Sequence, residues 1–191
     1  MSSAEAELVA RAARQDAGAM AALLALIRPG VVRYCRARLG QTGGAYGTAD
    51  DVAQEVCLAV MTALPRFRDQ GRPFSAFVFG IAAHKVADAQ RAAVRRDVTN
   101  AVESLTDRAD PAPGPEQQAV ATDLARRLST LLSRLPEKQR EIIVLRVAVG
   151  LTADEVGAVF GMSAAAVRVA QSRALARLRT LAGSMFDEVA V

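Results

Sequence analysis

The chain has 191 residues, of which 51% are hydrophobic and 4% aromatic, and its formal net charge is +4. This length accommodates one large or two small domains. A composition rich in alanine, with few β-branched runs, argues against a β-sheet protein, so we expect an all-α fold. A single histidine and two cysteines disfavour a structural zinc site, and we interpret Cys35 and Cys57 as buried apolar side chains. The mild basic excess is compatible with a nucleic-acid partner but does not require one.

Two helices are predicted at the start of the chain. Residues 4–14 carry apolar side chains at helical spacing, and Asp16 is placed to cap the next helix. Pro29 and Gly30 are expected to interrupt or kink that second helix. Its apolar run, 17–27, is shorter than the ~20 residues that a bilayer span needs. Because no segment has a signal-peptide pattern either, we expect a soluble, cytoplasmic protein.

A third helix is predicted to begin after Thr48, which follows a glycine-rich connector. The connector lacks the Gly-Lys-Ser/Thr of a phosphate-binding loop, and no cofactor is expected. One face of the helix is apolar, and the other carries Asp51, Gln54, Glu55 and Leu58. Paired carboxylates four residues apart could serve acid–base chemistry or a metal, but no histidine or third carboxylate accompanies them. This face is therefore either simply solvated or, because Leu58 shares it, a protein-binding surface.

Pro65 is expected to end that helix, and residues 66–74 then interleave basic and aromatic side chains. Aromatic rings can stack on bases while arginines hold phosphates, so this loop suits single-stranded nucleic acid. Core packing is the competing role of the phenylalanines: we assign it to Phe77 and leave both roles open for the others. The helix predicted from Ser75 then carries His84, which could instead be a surface or capping residue, and further basic side chains.

Residues 97–118 form a break in composition, with several prolines and acidic residues. Prolines lack a backbone donor and favour extended backbone, so this stretch is predicted to be a flexible linker. An amphipathic helix is predicted over 119–134.

The C-terminal third predicts a helix-turn-helix unit. Pro136 suits the first position of a helix that Gly150 ends, and Thr152 with Glu155 forms a capping box for the next helix. Gly157 is expected on the inner face of that helix, where the missing Cβ allows a close approach. Gly161 and Met162 form the predicted turn. Ser163 caps a last helix, and residues 181–191 either lengthen that helix or fray.

The last helix begins with small residues and then projects basic and polar ones: Arg168, Gln171, Arg173, Arg177 and Arg179. Small residues let a helix approach DNA, and arginine can pair with guanine or with phosphate. An alanine-rich helical hairpin with a solvated arginine face is the simpler alternative.

These motifs resemble those of the σ70 family, and most of all those of the extracytoplasmic-function (ECF) sigma factors. LPEKQREIIVLR, GLTADEV and GMSAAAVRVAQSRALARLR are similar to region 4, and DVAQEV followed by Leu58 is similar to the region 2.2 signature DLVQETFL. The helix from Ser75 resembles regions 2.3 and 2.4, with Phe77 where tryptophan is usual and His84 where asparagine is common. AAHKVADAQRAA together with VRVAQSRAL resembles the actinobacterial SigD-like branch.

The resemblance implies two small helical domains, σ2 over 4–97 and σ4 over 119–182, joined by a linker over 98–118. It implies a non-enzymatic factor that binds core RNA polymerase through the β′ clamp helices and the β flap. That factor would direct initiation at promoters by recognising their −10 and −35 elements. An anti-sigma factor is a further implied partner.

The resemblance also implies roles for individual residues. Binding of core polymerase falls to the third helix, at Asp51, Gln54, Glu55 and Leu58. Recognition of the −10 element falls to Phe67, Arg68, Arg72, Phe74, His84, Lys85 and Arg91. Recognition of the −35 element falls to Ser163, Ala165, Arg168, Val169, Ser172, Arg173 and Arg177.

Two other classes of protein remain as alternatives. A LuxR-type helix-turn-helix regulator would bind duplex DNA without polymerase, but it needs a receiver or ligand domain, and residues 1–97 lack the alternating β/α pattern. A helical adaptor that binds only protein does not explain the arginine rows or the basic-aromatic loop. An enzyme has least support, since no nucleophile, metal or phosphate-binding constellation is found.

Overall fold

The computed structural model describes residues 3–40, 48–69, 71–100, 125 and 127–187, and for 96–100 and 184–187 we consider the backbone alone. The N-terminal half contains α1 (Ser3–Ala13), α2 (Ala17–Leu39), α3 (Ala49–Ala63), a 3-10 turn (Leu64–Arg66) and α4 (Phe74–Asn100). The C-terminal half contains α5 (127–133), α6 (Glu137–Ile143), a π-helical turn (Val144–Val149), α7 (Ala153–Phe160) and α8 (Ala164–Asp187). These ranges contain no strand, and the prediction of an all-α protein is confirmed.

Side chains cap the helices where the sequence predicts them. The Asp16 carboxylate accepts a hydrogen bond from Ala19 N–H at 2.9 Å. At α7, Thr152 N–H donates to Glu155 Oε2 at 2.8 Å, and Glu155 N–H donates back to the Thr152 hydroxyl at 3.2 Å. The Ser163 hydroxyl accepts from Ala166 N–H at 3.2 Å. Each bond satisfies a backbone N–H that has no partner within its own helix.

Helix α2 differs from its prediction, because it runs unbroken through Pro29 over 23 residues. The helix extends beyond its apolar run 17–27, and by length and composition alone α2 could span a bilayer, with a mean hydropathy of 1.3. In the structure α2 is instead the central helix of a protein core. Leu23, Val31, Tyr34 and Cys35 are fully buried.

The core continues from the N-terminal half into the C-terminal half. One cluster of buried side chains extends from Val9 in α1 to Val167 in α8. Helix α2 packs against α1, α3 and α4 and also against the π-helical turn, while α4 packs against α7. A smaller cluster joins Leu132, Leu135, Ile143 and Ala174. The two halves are therefore in direct contact through buried apolar surface.

Several predicted boundaries shift slightly. Pro136 has extended backbone and lies at the cap of α6 rather than at its first position. The helix predicted from Ser75 begins at Phe74, and the 3-10 turn that includes Pro65 follows α3. The last helix is lengthened to Asp187. Most of the predicted linker, and the start of the helix predicted over 119–134, lie outside the described residues.

Candidate nucleic-acid interface

The turn between α7 and α8 is built on two glycines. Gly161 has a φ of 64°, in the left-handed region that favours glycine. A Cβ on Gly157 would lie 2.5 Å from the carbonyl oxygen of Met162, which leaves no room for a side chain. Met162 N–H in turn donates to the Gly157 carbonyl at 2.9 Å. These contacts fix how α8 leaves the turn, as a helix-turn-helix unit requires.

Helix α8 has one buried side and one exposed side. Val167 and Ala174 are fully buried. The seven side chains assigned to the −35 element are all exposed: Ser163, Ala165, Arg168, Val169, Ser172, Arg173 and Arg177. None of the three arginines in that set has an ion-pair partner within the described residues. The exposed side of α8 therefore presents unpaired positive charge.

Gln171 does not belong to that exposed face, although the sequence suggests it. Its side chain is half-buried, and its Oε1 accepts a hydrogen bond from Arg146 Nε at 2.9 Å. Arg146 also donates to the carbonyl of Leu151, after the π-helical turn. Gln171 thus holds α8 against the segment that precedes α7.

The polar face of α3 is exposed as predicted, and its four residues lie on one side of the helix: Asp51, Gln54, Glu55 and Leu58. Leu58 is 54% exposed, so this face offers an apolar side chain among polar ones. Asp51 also has a structural role, because its carboxylate accepts from Thr48 N–H at 2.7 Å and caps α3. Glu55 forms an ion pair with Lys85 of α4 at 3.2 Å.

The basic-aromatic loop forms a shallow concavity. Phe67 and Phe77 are half-buried, with ring centroids 5.0 Å apart, and they line two adjoining hollows of about 460 and 320 Å³. Arg66 lines both hollows, and Arg68 and Arg72 line the smaller one. A surface of rings edged by guanidinium groups can hold a base and its phosphates.

Phe74 and Phe77 have exchanged the places that the sequence predicts for them in the core and in the concavity. Phe74, assigned to −10 DNA, is 2% exposed and packs edge-on against Phe67, so its ring supports the concavity from below. Phe77, assigned to the core, is half-buried on the wall of the hollows. The loop sequence does not reveal this exchange, because it depends on where the first turn of α4 begins.

The remaining side chains assigned to the −10 element lie on α4. His84 and Arg91 are exposed, and Arg91 forms an ion pair with Asp88 one turn earlier. Lys85 is half-buried in its ion pair with Glu55. Among the described residues, no three histidine, cysteine or acidic side chains come together as a metal site would need.

A polar cluster at the contact between the two halves has no signature in the sequence. The Tyr34 hydroxyl donates to the Glu141 carboxylate at 2.9 Å, and Arg38 Nε lies 2.8 Å from Glu141 Oε1 in a buried ion pair. Arg38 and Glu141 are each 8% exposed. Burial raises the pKa of Glu141, while Arg38 and Tyr34 act in the opposite direction. Residues 107 positions apart cannot be paired by spacing rules.

Further polar contacts cross the same boundary. Arg33 Nε donates to the carbonyl of Ala148 at 2.9 Å. Arg72, from the basic-aromatic loop, donates to the carbonyl of Ala158 in α7. The Ser75 hydroxyl donates to Glu155 at 3.0 Å. The loop assigned to −10 DNA is therefore held against the first helix of the helix-turn-helix unit.

Comparison with known protein families gives two matches in the same order as the motifs. Residues 23–96 match Sigma-70 region 2, and residues 131–180 match Sigma-70, region 4. The first range covers most of α2 to α4, and the second runs from α5 into α8. A LuxR-type regulator does not account for the region 2 match.

Curated relatives agree with these matches. The chain is 56% identical to the ECF RNA polymerase sigma factor SigD of Mycobacterium tuberculosis over 172 residues, covering 90% of this chain and 81% of the relative. It is also 56% identical to the ECF RNA polymerase sigma factor ShbA of Streptomyces griseus over 178 residues, covering 92% and 93%.

Among solved structures, CnrH in complex with the cytosolic domain of CnrY is similar, with a TM-score of 0.67 and 29% identity over 93% of this chain and 96% of that one. The sigma factor RpoE of Bartonella quintana, solved with the anti-sigma factor NepR, shares the fold with a TM-score of 0.58 and 21% identity over 84% and 94%. The chain therefore belongs to the σ70 family, as a SigD-like ECF sigma factor that directs RNA polymerase to initiate transcription at promoters.

Proposed function

We propose that three exposed surfaces divide the work of this sigma factor. The polar face of α3 binds the β′ clamp helices of core polymerase, the basic-aromatic concavity with α4 holds the −10 element, and α8 reads the −35 element. The domains that carry these surfaces are σ2 over 4–97 and σ4 over 119–182, with a linker between them. The observation that carries the proposal is the row of exposed, unpaired arginines on α8, beyond a turn that tolerates only glycine at 157.

Chemistry supports the −10 assignment. Opening a base from the stack costs a few kcal/mol, so the protein has to offer a surface that offsets this loss. Phe67 and Phe77 provide apolar faces, and Arg66, Arg68 and Arg72 can neutralise the adjoining phosphates. Phe74 contributes by fixing the ring of Phe67.

The polymerase surface follows from an exposed leucine among acidic residues. An apolar side chain with polar neighbours is the usual composition of a protein contact whose centre is desolvated on binding. We include in the proposal that σ4 contacts the β flap, that the protein is cytoplasmic, and that it catalyses no reaction. Because CnrH was solved with CnrY, and RpoE with an anti-sigma factor, we include an anti-sigma partner here as well.

The test is run-off transcription with bacterial core polymerase on a library of promoters, with and without the protein. Defined start sites that require the protein are expected. Leu58→Ala should then weaken core binding, while Leu26→Ala, which removes a leucine 58% exposed on α2, should not. Duplex DNA binding by the protein alone, without any directed start, would contradict the proposal. Equal effects of the two leucine variants would remove α3 from the polymerase contact.

A further inference from the structure

The centre of the exposed face of α8 carries a hydrocarbon side chain between cations. Val169 is 50% exposed. Arg168 precedes it in the sequence, and Arg173 lies one turn further along the helix. Ala165 and Arg173 are each four positions away, so all three share one face. The apolar surface of Val169 would be removed from water if DNA covers this face.

The exposed face of α8 has no free amide side chain for pairing with adenine. Arginine suits guanine, and asparagine or glutamine suits adenine. Gln171 is the only amide side chain in α8, and Arg146 already holds it at 2.9 Å. The residues assigned to −35 DNA are thus three arginines, two serines, Ala165 and Val169. The base-edge feature that matches an apolar group in the major groove is the C5-methyl of thymine.

We propose that Val169 is a specificity-determining residue that contacts the C5-methyl group of a thymine in the −35 element. This inference rests on the proposed role of α8. Valine in a helix strongly prefers one rotamer, so little side-chain freedom is lost when the contact forms. Residues four apart on a helix lie about 6 Å from each other, and successive base pairs are about 3.4 Å apart. The thymine therefore lies within about two base pairs of a base pair contacted by Arg168 or Arg173.

The test uses the holoenzyme, formed from the full chain and core polymerase, on a promoter identified by run-off transcription. Each thymine of the −35 element, on both strands, is replaced singly by deoxyuridine, which removes the methyl and leaves the hydrogen-bonding groups. At one position the replacement should weaken binding about four-fold, the factor expected for one buried methyl-sized group. Val169→Ala should weaken binding to the thymine promoter by a similar factor and should be insensitive to deoxyuridine at that position.

A second valine provides the control. Val147 is 62% exposed on the π-helical turn and is not part of α8, so Val147→Ala makes the same chemical change outside that helix and should keep the full response to deoxyuridine. The proposal is overturned if no thymine responds in the unchanged protein, or if Val169→Ala responds as strongly as the unchanged protein does. If Arg168→Ala weakens promoter binding but Val169→Ala does not change the response to deoxyuridine, the inference about Val169 is wrong while the role of α8 stands. If neither Arg168→Ala nor Val169→Ala affects promoter binding, α8 does not recognise the −35 element.

Discussion

At the scale of single residues, Gly157 shows how one missing side chain determines a functional geometry. Because a Cβ there would lie 2.5 Å from the Met162 carbonyl, Gly157→Ala has to displace backbone in the turn. We expect a loss of about 1–3 kcal/mol in the free energy of unfolding, the range for overpacking a tight site. Denaturant unfolding measures this loss.

The control is Gly183→Ala in α8, where nothing lies within 4 Å of the added Cβ. That change should leave stability equal or raise it by up to about 1 kcal/mol, because alanine favours helix over glycine. Equal losses in the two variants would mean that the turn adjusts without strain.

Arg168 gives a second prediction at this scale. If it pairs with a base, Arg168→Ala should cost about 1–3 kcal/mol of promoter affinity and relax the preference at one −35 position. The measurement is holoenzyme affinity across promoters that differ at single −35 positions. Uniform weakening on every sequence, with a shallower dependence on salt, would identify a phosphate contact instead.

At the scale of helices, the start of α7 depends on its capping box. Thr152→Ala removes the hydroxyl that accepts from Glu155 N–H, and we expect a loss of about 1 kcal/mol in unfolding free energy. Thr180→Ala is the control, because that hydroxyl bonds back to a carbonyl within α8 and caps nothing. A loss of similar size in both variants would count against a capping role.

The same box makes a prediction about pH. Burial alone would raise the pKa of Glu155, but hydrogen bonds from Thr152 and Ser75 outweigh it, and the pKa is lowered. A lowered carboxyl pKa stabilises the folded state above the unfolded value of about 4.3 and loses this effect as the pH falls through the folded value. The destabilisation by Glu155→Gln should therefore be full near pH 7 and shrink below about pH 4. A loss that does not vary with pH would show that the carboxylate charge is not involved.

The helices also show what a sequence can predict. Caps, the exposed faces of α3 and α8 and the glycine turn depend on residues within one or two turns of each other, so spacing rules predict them. The unbroken course of α2 through Pro29 depends on packing against three other helices, and tertiary contacts outweigh the local penalty of proline. The engagement of Gln171 by Arg146 and the burial of Phe74 likewise require the folded arrangement.

At the scale of the whole molecule, the contact between the two halves is incompatible with binding both promoter elements at once. By their names, the −10 and −35 elements lie about 25 base pairs apart, which is roughly 85 Å of B-DNA. Here the loop assigned to −10 DNA contacts α7 through Arg72 and Ser75. One chain cannot reach both elements in this arrangement, so we expect the contacts between the halves to break when the promoter is bound.

The buried ion pair should control that separation. Glu141→Ala removes the buried carboxylate and leaves Arg38 only the exposed Glu137, 3.6 Å away. Breaking a buried pair costs up to about 3–5 kcal/mol. We expect the free protein to become more extended, with a larger radius of gyration in X-ray scattering. Asp50→Ala breaks the exposed pair with Arg36 inside the N-terminal half, and it should leave the radius unchanged. Matching radii in the two variants would show that the pair does not hold the halves together.

The Arg38–Glu141 pair also affects what fraction of the molecules is packed and what fraction is separated. For a partner that binds only the separated form, the apparent Kd equals the intrinsic Kd divided by the fraction of molecules in that form. If the packed form is favoured by about 3 kcal/mol, fewer than about one molecule in 100 is separated, and the apparent affinity falls on the order of 100-fold. A substitution at Glu141 would then tighten promoter-directed assembly without touching polymerase or DNA. The contacts across this boundary, with the Arg38–Glu141 pair among them, would thus set the concentration at which this sigma factor begins to act.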